Sequence, residues 1–168
     1  MATVQDLKEA RLFQSLSDDQ LEALVQLGQE KSFGAGEEIF RHGQKAETFY
    51  VLLDGSVSLT IKAQEGIDLM AEMLEKKGTP FGTASLIEGH VYNVTAKCIQ
   101  DTKALAMDSA GLQDIMRQDP FVGFQVMTEL ARMYFIRLNS TRAAATNLFK
   151  IFKFESEKAQ VYDTYGES

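Results

Sequence analysis

Phe49-Tyr50-Val51-Leu52-Leu53-Asp54-Gly55-Ser56-Val57-Ser58-Leu59-Thr60-Ile61 is the stretch on which the fold turns. Two runs of strand-forming residues flank Asp54-Gly55, a pair suited to a type I′ hairpin turn, in which both central residues need positive φ. In the second run Val57, Leu59 and Ile61 are expected to face a core, with Ser56, Ser58 and Thr60 facing out. The alternating pattern extends from residue 32 to about residue 108, punctuated by Gly34, Gly43, Gly55, Gly66, Gly78 and Gly89. Turns at intervals of roughly 9–12 residues mark an all-β sandwich or barrel.

On either side the period becomes helical. Residues 4–28 read as helix, and Leu16-Ser17-Asp18-Asp19-Gln20-Leu21 forms a complete helix start. Ser17 is the N-cap, Gln20 closes a capping box, and Leu16 and Leu21 can form the hydrophobic staple. Leu21, Leu24, Val25 and Leu27 mark one buried face, and Gly28 ends the helix. After Met107, Leu112, Ile115 and Met116 form a short apolar face. Asp119-Pro120 then restarts the chain as N-cap and first helical residue. A helix from Pro120 to about Ala145 would have ~26 residues and be roughly 39 Å long. The chain is expected to divide into residues 1–118, the long helix at 119–145, and a frayed tail at 146–168 that begins with a Phe-rich segment.

The chain has 168 residues, 45% of them hydrophobic and 24% charged, with a net charge of −7. That is ample material for one core without disulfides or metal. The lone Cys98 lies in a strand pattern and reads as a buried free thiol, which suits a reducing compartment. No apolar run approaches the ~20 residues needed to span a bilayer, and the N-terminus carries no signal-peptide pattern. The expectation is a cytoplasmic protein that does not engage membranes. The acidic balance argues against DNA binding, which needs a basic face.

Several segments together resemble the cyclic-nucleotide-binding domain of the catabolite activator superfamily. They are Leu12-Phe13 before a capped helix, Phe33-x-x-Gly36-Glu37-x-Ile39-Phe40-x-x-Gly43, Phe49-Tyr50-Val51-Leu52-x-x-Gly55-x-Val57, and Phe81-Gly82 before Leu86-Ile87. The likeness covers about residues 10 to 143. It implies a mainly β fold with flanking helices: a double-stranded β-helix, or jelly-roll-like β-roll, plus a long C-terminal dimerisation helix. Regulators of this type continue into a helix-turn-helix domain. Here only about 23 residues follow Ala145, with no two-helix pattern. A complete transcription factor is therefore not expected. A stand-alone sensor domain and a piece of a longer chain both remain open.

The resemblance also implies a phosphate-binding cassette. In the family a glycine admits the cyclic phosphate, backbone N–H groups point at it, a glutamate accepts from the ribose hydroxyl, and an arginine neutralises the charge. The corresponding segment runs from Thr79 to Thr95 and supplies Phe81, Gly82, Thr83, Ala84, Ser85, Tyr92 and Asn93 as candidate ligand-binding residues. Thr83 stands where the glutamate would be, and Tyr92, or Asn93 in a longer turn, where the arginine would be. No arginine occurs between Arg41 and Arg117. Lys97 lies an odd five residues from Tyr92 and should face the other way, leaving Arg41 or Arg137 as the cations to fold in. The implied site keeps the backbone of the cassette without its two characteristic polar contacts.

Nothing else points to chemistry. His42 and His90 each sit beside a glycine in a turn and read as surface residues. Glu37-Glu38 and Asp18-Asp19 read as solvated pairs. There is no zinc motif, nucleophile elbow or Walker loop. No enzyme activity, cofactor or metal is expected.

The long helix carries two apolar stripes. Phe124, Met127, Ala131, Tyr134 and Leu138 follow heptad spacing, and Val122, Val126, Leu130 and Met133 occupy a neighbouring face. Two stripes imply two surfaces to bury, most simply the roll and a second copy of the helix. The competing reading packs them on the chain's own roll or on Phe149, Phe152 and Phe154. Function therefore stands between a regulatory sensor module with a small-molecule ligand in the roll and a structural, protein-interaction module that dimerises without one.

Overall fold

The computed structural model describes the backbone of residues 2–64, 67–87 and 89–165, and the side chains of these except 63–64, 67–68, 148–149 and 151–165. Gly66, Glu88 and the side chains of Phe149, Phe152 and Phe154 lie outside the description. The chain divides into two compact units, Met1–Met127 and Thr128–Ser168.

The first unit opens with α1 (Val4–Glu9), a 3-10 turn (Arg11–Phe13) and α2 (Asp18–Leu27). The capping box of α2 forms as the sequence requires: Gln20 N–H donates to Ser17 Oγ at 3.3 Å, and Ser17 N–H donates to Gln20 Oε1 at 3.0 Å. Leu16, Leu21 and Leu24 are buried. Gly28 ends α2 in extended geometry (φ −80°) rather than a left-handed cap. A Cβ there would lie 2.4 Å from Leu105 Cδ1, so packing requires the glycine.

Among the described residues eight strands follow: β1 (Gln29–Phe33), β2 (Glu38–Phe40), β3 (Thr48–Asp54), β4 (Val57–Gln64), β5 (Ile67–Leu74), β6 (Pro80–Phe81), β7 (Thr95–Cys98) and β8 (Thr102–Asp108). They form two antiparallel four-stranded sheets, β1-β8-β3-β6 and β2-β7-β4-β5. The mainly β architecture with flanking helices and a long C-terminal helix is the one the sequence implies. α3 (Ser109–Gln118) and α4 (Pro120–Tyr165) complete the chain.

The Asp54-Gly55 hairpin is not formed. β3 and β4 lie in different sheets, and no non-glycine residue among those described has positive φ, which excludes a type I′ turn at Asp54. Gly55 instead links the sheets with φ +99°. A Cβ there would meet the Asp101 carbonyl and Thr102 Oγ1 at 2.6 Å. The inside–outside assignment along β4 also changes. Val57 and Leu59 are buried as expected, but so are Ser56 and Ser58, while Ile61 is exposed. Ser56 N–H donates to Thr102 Oγ1 at 3.3 Å, its hydroxyl reaches Met73 Sδ at 3.4 Å, and Ser58 Oγ donates to the Lys97 carbonyl at 3.3 Å. Ile61 lies past Thr60↔Thr95, the last register pair with β7, where β4 has only β5 beside it.

β3 is buried on both faces. Tyr50 and Leu52 belong to the interior cluster of the roll, together with Phe40, Val57, Leu59, Phe81, Tyr92 and Cys98. Phe49 and Val51 point the other way and are fully buried. Phe49 meets Phe13 edge to face at 6.1 Å, joining the N-terminal helices to the sheet. Burial of side chains this size contributes about 1.5–3 kcal/mol each.

α4 begins where Asp119-Pro120 places it: Asp119 Oδ1 accepts from Phe121 N–H at 3.0 Å and Val122 N–H at 3.3 Å. It runs 46 residues to Tyr165, past the end expected near Ala145. No proline or glycine interrupts residues 146–165, so nothing local forces a stop. No described helix is long and apolar enough to cross a membrane.

Candidate ligand pocket of the β-roll

Gly82 follows β6 in left-handed geometry (φ +67°) and leads into a 3-10 turn, Thr83–Leu86. A Cβ at Gly82 would lie 3.0 Å from the Thr48 carbonyl and 3.1 Å from Tyr50 Cδ2. Close packing and left-handed backbone thus both favour glycine here. The turn is held by Ser85 N–H donating to the Gly82 carbonyl at 3.0 Å and by Gln113 Nε2 donating to the Ser85 carbonyl at 3.4 Å. Phe81 and Ser85 are buried, Gly82, Thr83 and Ala84 half-buried, and Asn93 exposed.

Tyr92 returns the chain toward β7 and is 3% exposed. Its ring stacks on Phe40 with centroids 3.8 Å apart and planes at 16°. Phe40 also stacks with Tyr50 at 5.9 Å and Phe81 at 6.2 Å, and Tyr50 with Phe81 at 5.0 Å. Four rings therefore gather inside the roll behind Gly82. The Tyr92 hydroxyl donates to the Thr48 carbonyl at 2.7 Å and accepts from Thr48 N–H at 3.1 Å. Burial pushes this phenol up to about 12. Burial likewise raises Tyr50, against a hydrogen bond to the Thr48 side chain that lowers it.

Arg41 is exposed and pairs with Glu38. Lys97 is exposed between buried Ala96 and Cys98 on β7, whereas Tyr92 lies before that strand, so the alternation that was to relate the two does not run between them. The Arg137 guanidinium lies 5.7 Å from the Tyr134 ring centroid on α4. His42 and His90 are exposed, as expected of turn residues. Cys98 is a buried free thiol whose pKa burial raises. Among the described residues no group of three His, Cys, Asp or Glu could hold a metal ion.

Of the residues named from sequence, Phe81 and Tyr92 belong to one buried cluster with Ala84 packed against it, and Gly82, Thr83 and Ser85 lie in the adjoining turn. Sequence reasoning missed Thr48, which contributes backbone atoms and so leaves no signal in side-chain type. Phe40 and Tyr50 were visible as parts of the Ile39-Phe40 and Tyr50-Val51-Leu52 patterns without being recognised as partners of Tyr92.

The cyclic nucleotide-binding domain family matches residues 30–119. Over 126 residues the chain is 24% identical to the CRP-like cAMP-activated global transcriptional regulator of Mycobacterium tuberculosis, covering 75% of this chain and 56% of that one. The chain spans about half the length of the curated relatives it matches. A crystal structure from Geobacter metallireducens, assigned to cyclic-nucleotide binding, superposes with a TM-score of 0.71 at 28% identity, covering 82% of this chain and 99% of that one. The Thermus thermophilus catabolite activator protein shares the fold with a TM-score of 0.71 at 24% identity, covering 83% of this chain and 63% of that one.

Proposed function

The chain belongs to the cyclic nucleotide-binding domain family, and on that premise we propose that it is a non-catalytic regulatory module whose roll does not take cyclic AMP or cyclic GMP by the family's usual contacts. One observation carries the reading. Tyr92, which with Asn93 is one of the two residues that the resemblance sets at the phosphate-binding arginine, is an uncharged buried ring whose hydroxyl is engaged on both sides by Thr48. A cyclic phosphate brought there would lose its hydration without gaining a cation, and removing one partner from a buried charge pair costs about 2–5 kcal/mol. Thr83, Ser85 and Asn93 can hydrogen-bond a ligand but cannot cancel its charge.

The filled interior favours a second reading, a protein-interaction module that keeps the fold without a small-molecule ligand. Both readings use a homodimer through α4. Val122, Val126 and Leu130 are buried, whereas Phe124, Met127, Ala131, Tyr134 and Leu138 are all exposed, Phe124 by 67%. An apolar heptad seam left in water is the kind of surface a second copy covers.

Titration calorimetry with both nucleotides tests the proposal. No binding tighter than about 100 μM is expected, corresponding to roughly −5.5 kcal/mol, and a sub-micromolar dissociation constant would overturn it. Native mass spectrometry of protein from its natural source separates the two readings by reporting a retained small molecule and the subunit count together.

A further inference from the structure

Tyr92 fastens the return segment of the cassette twice to the same stretch of chain. Through its backbone, Tyr92 N–H donates to the Gln44 carbonyl at 2.9 Å and Gly43 N–H donates to the Tyr92 carbonyl at 2.8 Å. Through its side chain the hydroxyl donates to and accepts from Thr48, four residues further on. Ala46 N–H donates to the His90 carbonyl at 3.1 Å, so residues 43–48 and 90–92 form one closed patch. The ring inside that patch lies on Phe40. Thr48 also backs Gly82, whose missing Cβ allows its carbonyl to approach. A flat aromatic group with one hydroxyl, stacked on one face and hydrogen-bonded at its far edge, makes the kinds of contact by which a small ligand is held.

We infer that Tyr92 is the roll's built-in ligand: its ring on Phe40 and its hydroxyl on Thr48 hold the cassette against β3 in one state with no small molecule bound. The inference rests on the reading that this roll has given up the usual nucleotide contacts, and it adds what took their place. A ligand that must be bound is a switch, because its release returns the cassette to another state. A ligand attached to the chain has an effective concentration that cannot be diluted away. The module then reports one conformation constantly, and an input has to reach it through other surfaces.

Chemical complementation tests this in the full chain. Tyr92→Ala removes a group whose missing part is phenol. The amides of Ala46, Thr48 and Ser85 are expected to exchange with solvent about tenfold faster or more in this variant. Phenol at about 10 mM should restore their protection, benzene should restore less because it lacks the hydroxyl, and the unmodified protein should respond to neither. Phenol that protects Tyr92→Ala no better than the unmodified chain would overturn the inference. Should Tyr92→Ala fail to fold, Tyr92→Phe keeps the test open. Losing the two hydroxyl bonds alone should then speed exchange at Thr48 and at Ser85, with Leu105 on β8 unmoved. Unchanged exchange at Ser85 would sink the inference. Tight cyclic-nucleotide binding by the unmodified protein would instead sink the premise, a separate outcome with a separate readout.

Discussion

Gln20 and Asp119 are joined by a 2.7 Å hydrogen bond from Nε2 to Oδ2, between residues that each cap a helix. The Gln20 carboxamide closes the capping box of α2 through its oxygen and steadies the α4 cap through its nitrogen. Asp119 uses its other oxygen on Phe121 and Val122. The Gln20 bond is the first cause of the lowered Asp119 pKa, with burial opposing it and the two backbone bonds adding to it.

A carboxyl depressed in the folded state stabilises above its unfolded value and loses that contribution as pH falls through the folded value. Gln20→Leu should therefore raise the Asp119 pKa toward the ordinary carboxylate value of 3.8. The acid unfolding midpoint should shift to higher pH. NMR titration of the Asp119 carboxyl checks the first point, and an unmoved carboxyl would show that Gln20 does not hold it. Ser17→Ala, at the other end of the box, should cost about 0.5–2 kcal/mol in urea unfolding.

On the proposed reading of the cassette, supplying an acid and a cation should confer nucleotide binding. Thr83→Glu combined with Tyr92→Arg restores the acid for the ribose and the cation for the phosphate. Measurable affinity for cyclic AMP is expected from the pair but from neither single variant, because each leaves one group uncompensated. Calorimetry showing no gain for the pair would mean that the cassette backbone has departed from the family's geometry.

The exposed seam of α4 should assemble. Burying each large member yields about 1.5–3 kcal/mol, and four from each subunit can exceed the ~4–15 kcal/mol cost of association. Met127→Glu with Leu138→Glu should place like charges across the two-fold axis and give monomers. Sedimentation of the unmodified protein at tens of micromolar is the direct test, and a monomer there would refute the dimer.

Gly55 should be nearly immutable. With φ +99° and backbone atoms 2.6 Å from any Cβ, Gly55→Ala should lose more than about 1 kcal/mol. Gly55→Asn should fare no better, although asparagine suits a hairpin turn. A urea midpoint for Gly55→Asn equal to that of the unmodified chain would contradict the sheet-linking geometry.

Tyr92 sets an alkaline limit. Its pKa is raised to about 12 from the ordinary value of 10.0. The stability it confers is complete below pH 10 and lost as pH rises from there toward 12. In a tyrosinate absorbance titration, Tyr92→Phe should remove a phenol titrating near 12. Loss of a phenol titrating near 10 would place the side chain in water.

Local features were legible and distant ones were not. The capping box at Ser17-Gln20 and the Asp119-Pro120 helix start involve residues three or fewer apart, so spacing specifies them. The assignment of β3 and β4 to one hairpin failed because the residues against Gly55, Asp101 and Thr102, come four strands later in the chain. Ser56 and Ser58 read as solvent-facing for the same reason. What covers them are Met73, Lys97 and Thr102, which an alternation pattern within one strand cannot report. The anchoring of Tyr92 to Thr48 is mediated by backbone groups that every residue type but proline possesses.

β1 sits at the edge of its sheet and pairs in register only with β8, Gln29 opposite Ala106 and Phe33 opposite Thr102. A chain emerging from the ribosome can therefore make α1 and α2 at once, but its first strand waits for the last. Closing so long a loop delays the roll relative to its helices. Until Thr102–Asp108 is synthesised, β1 and β3 lack the strand that lies between them, and their pairing edges stay open.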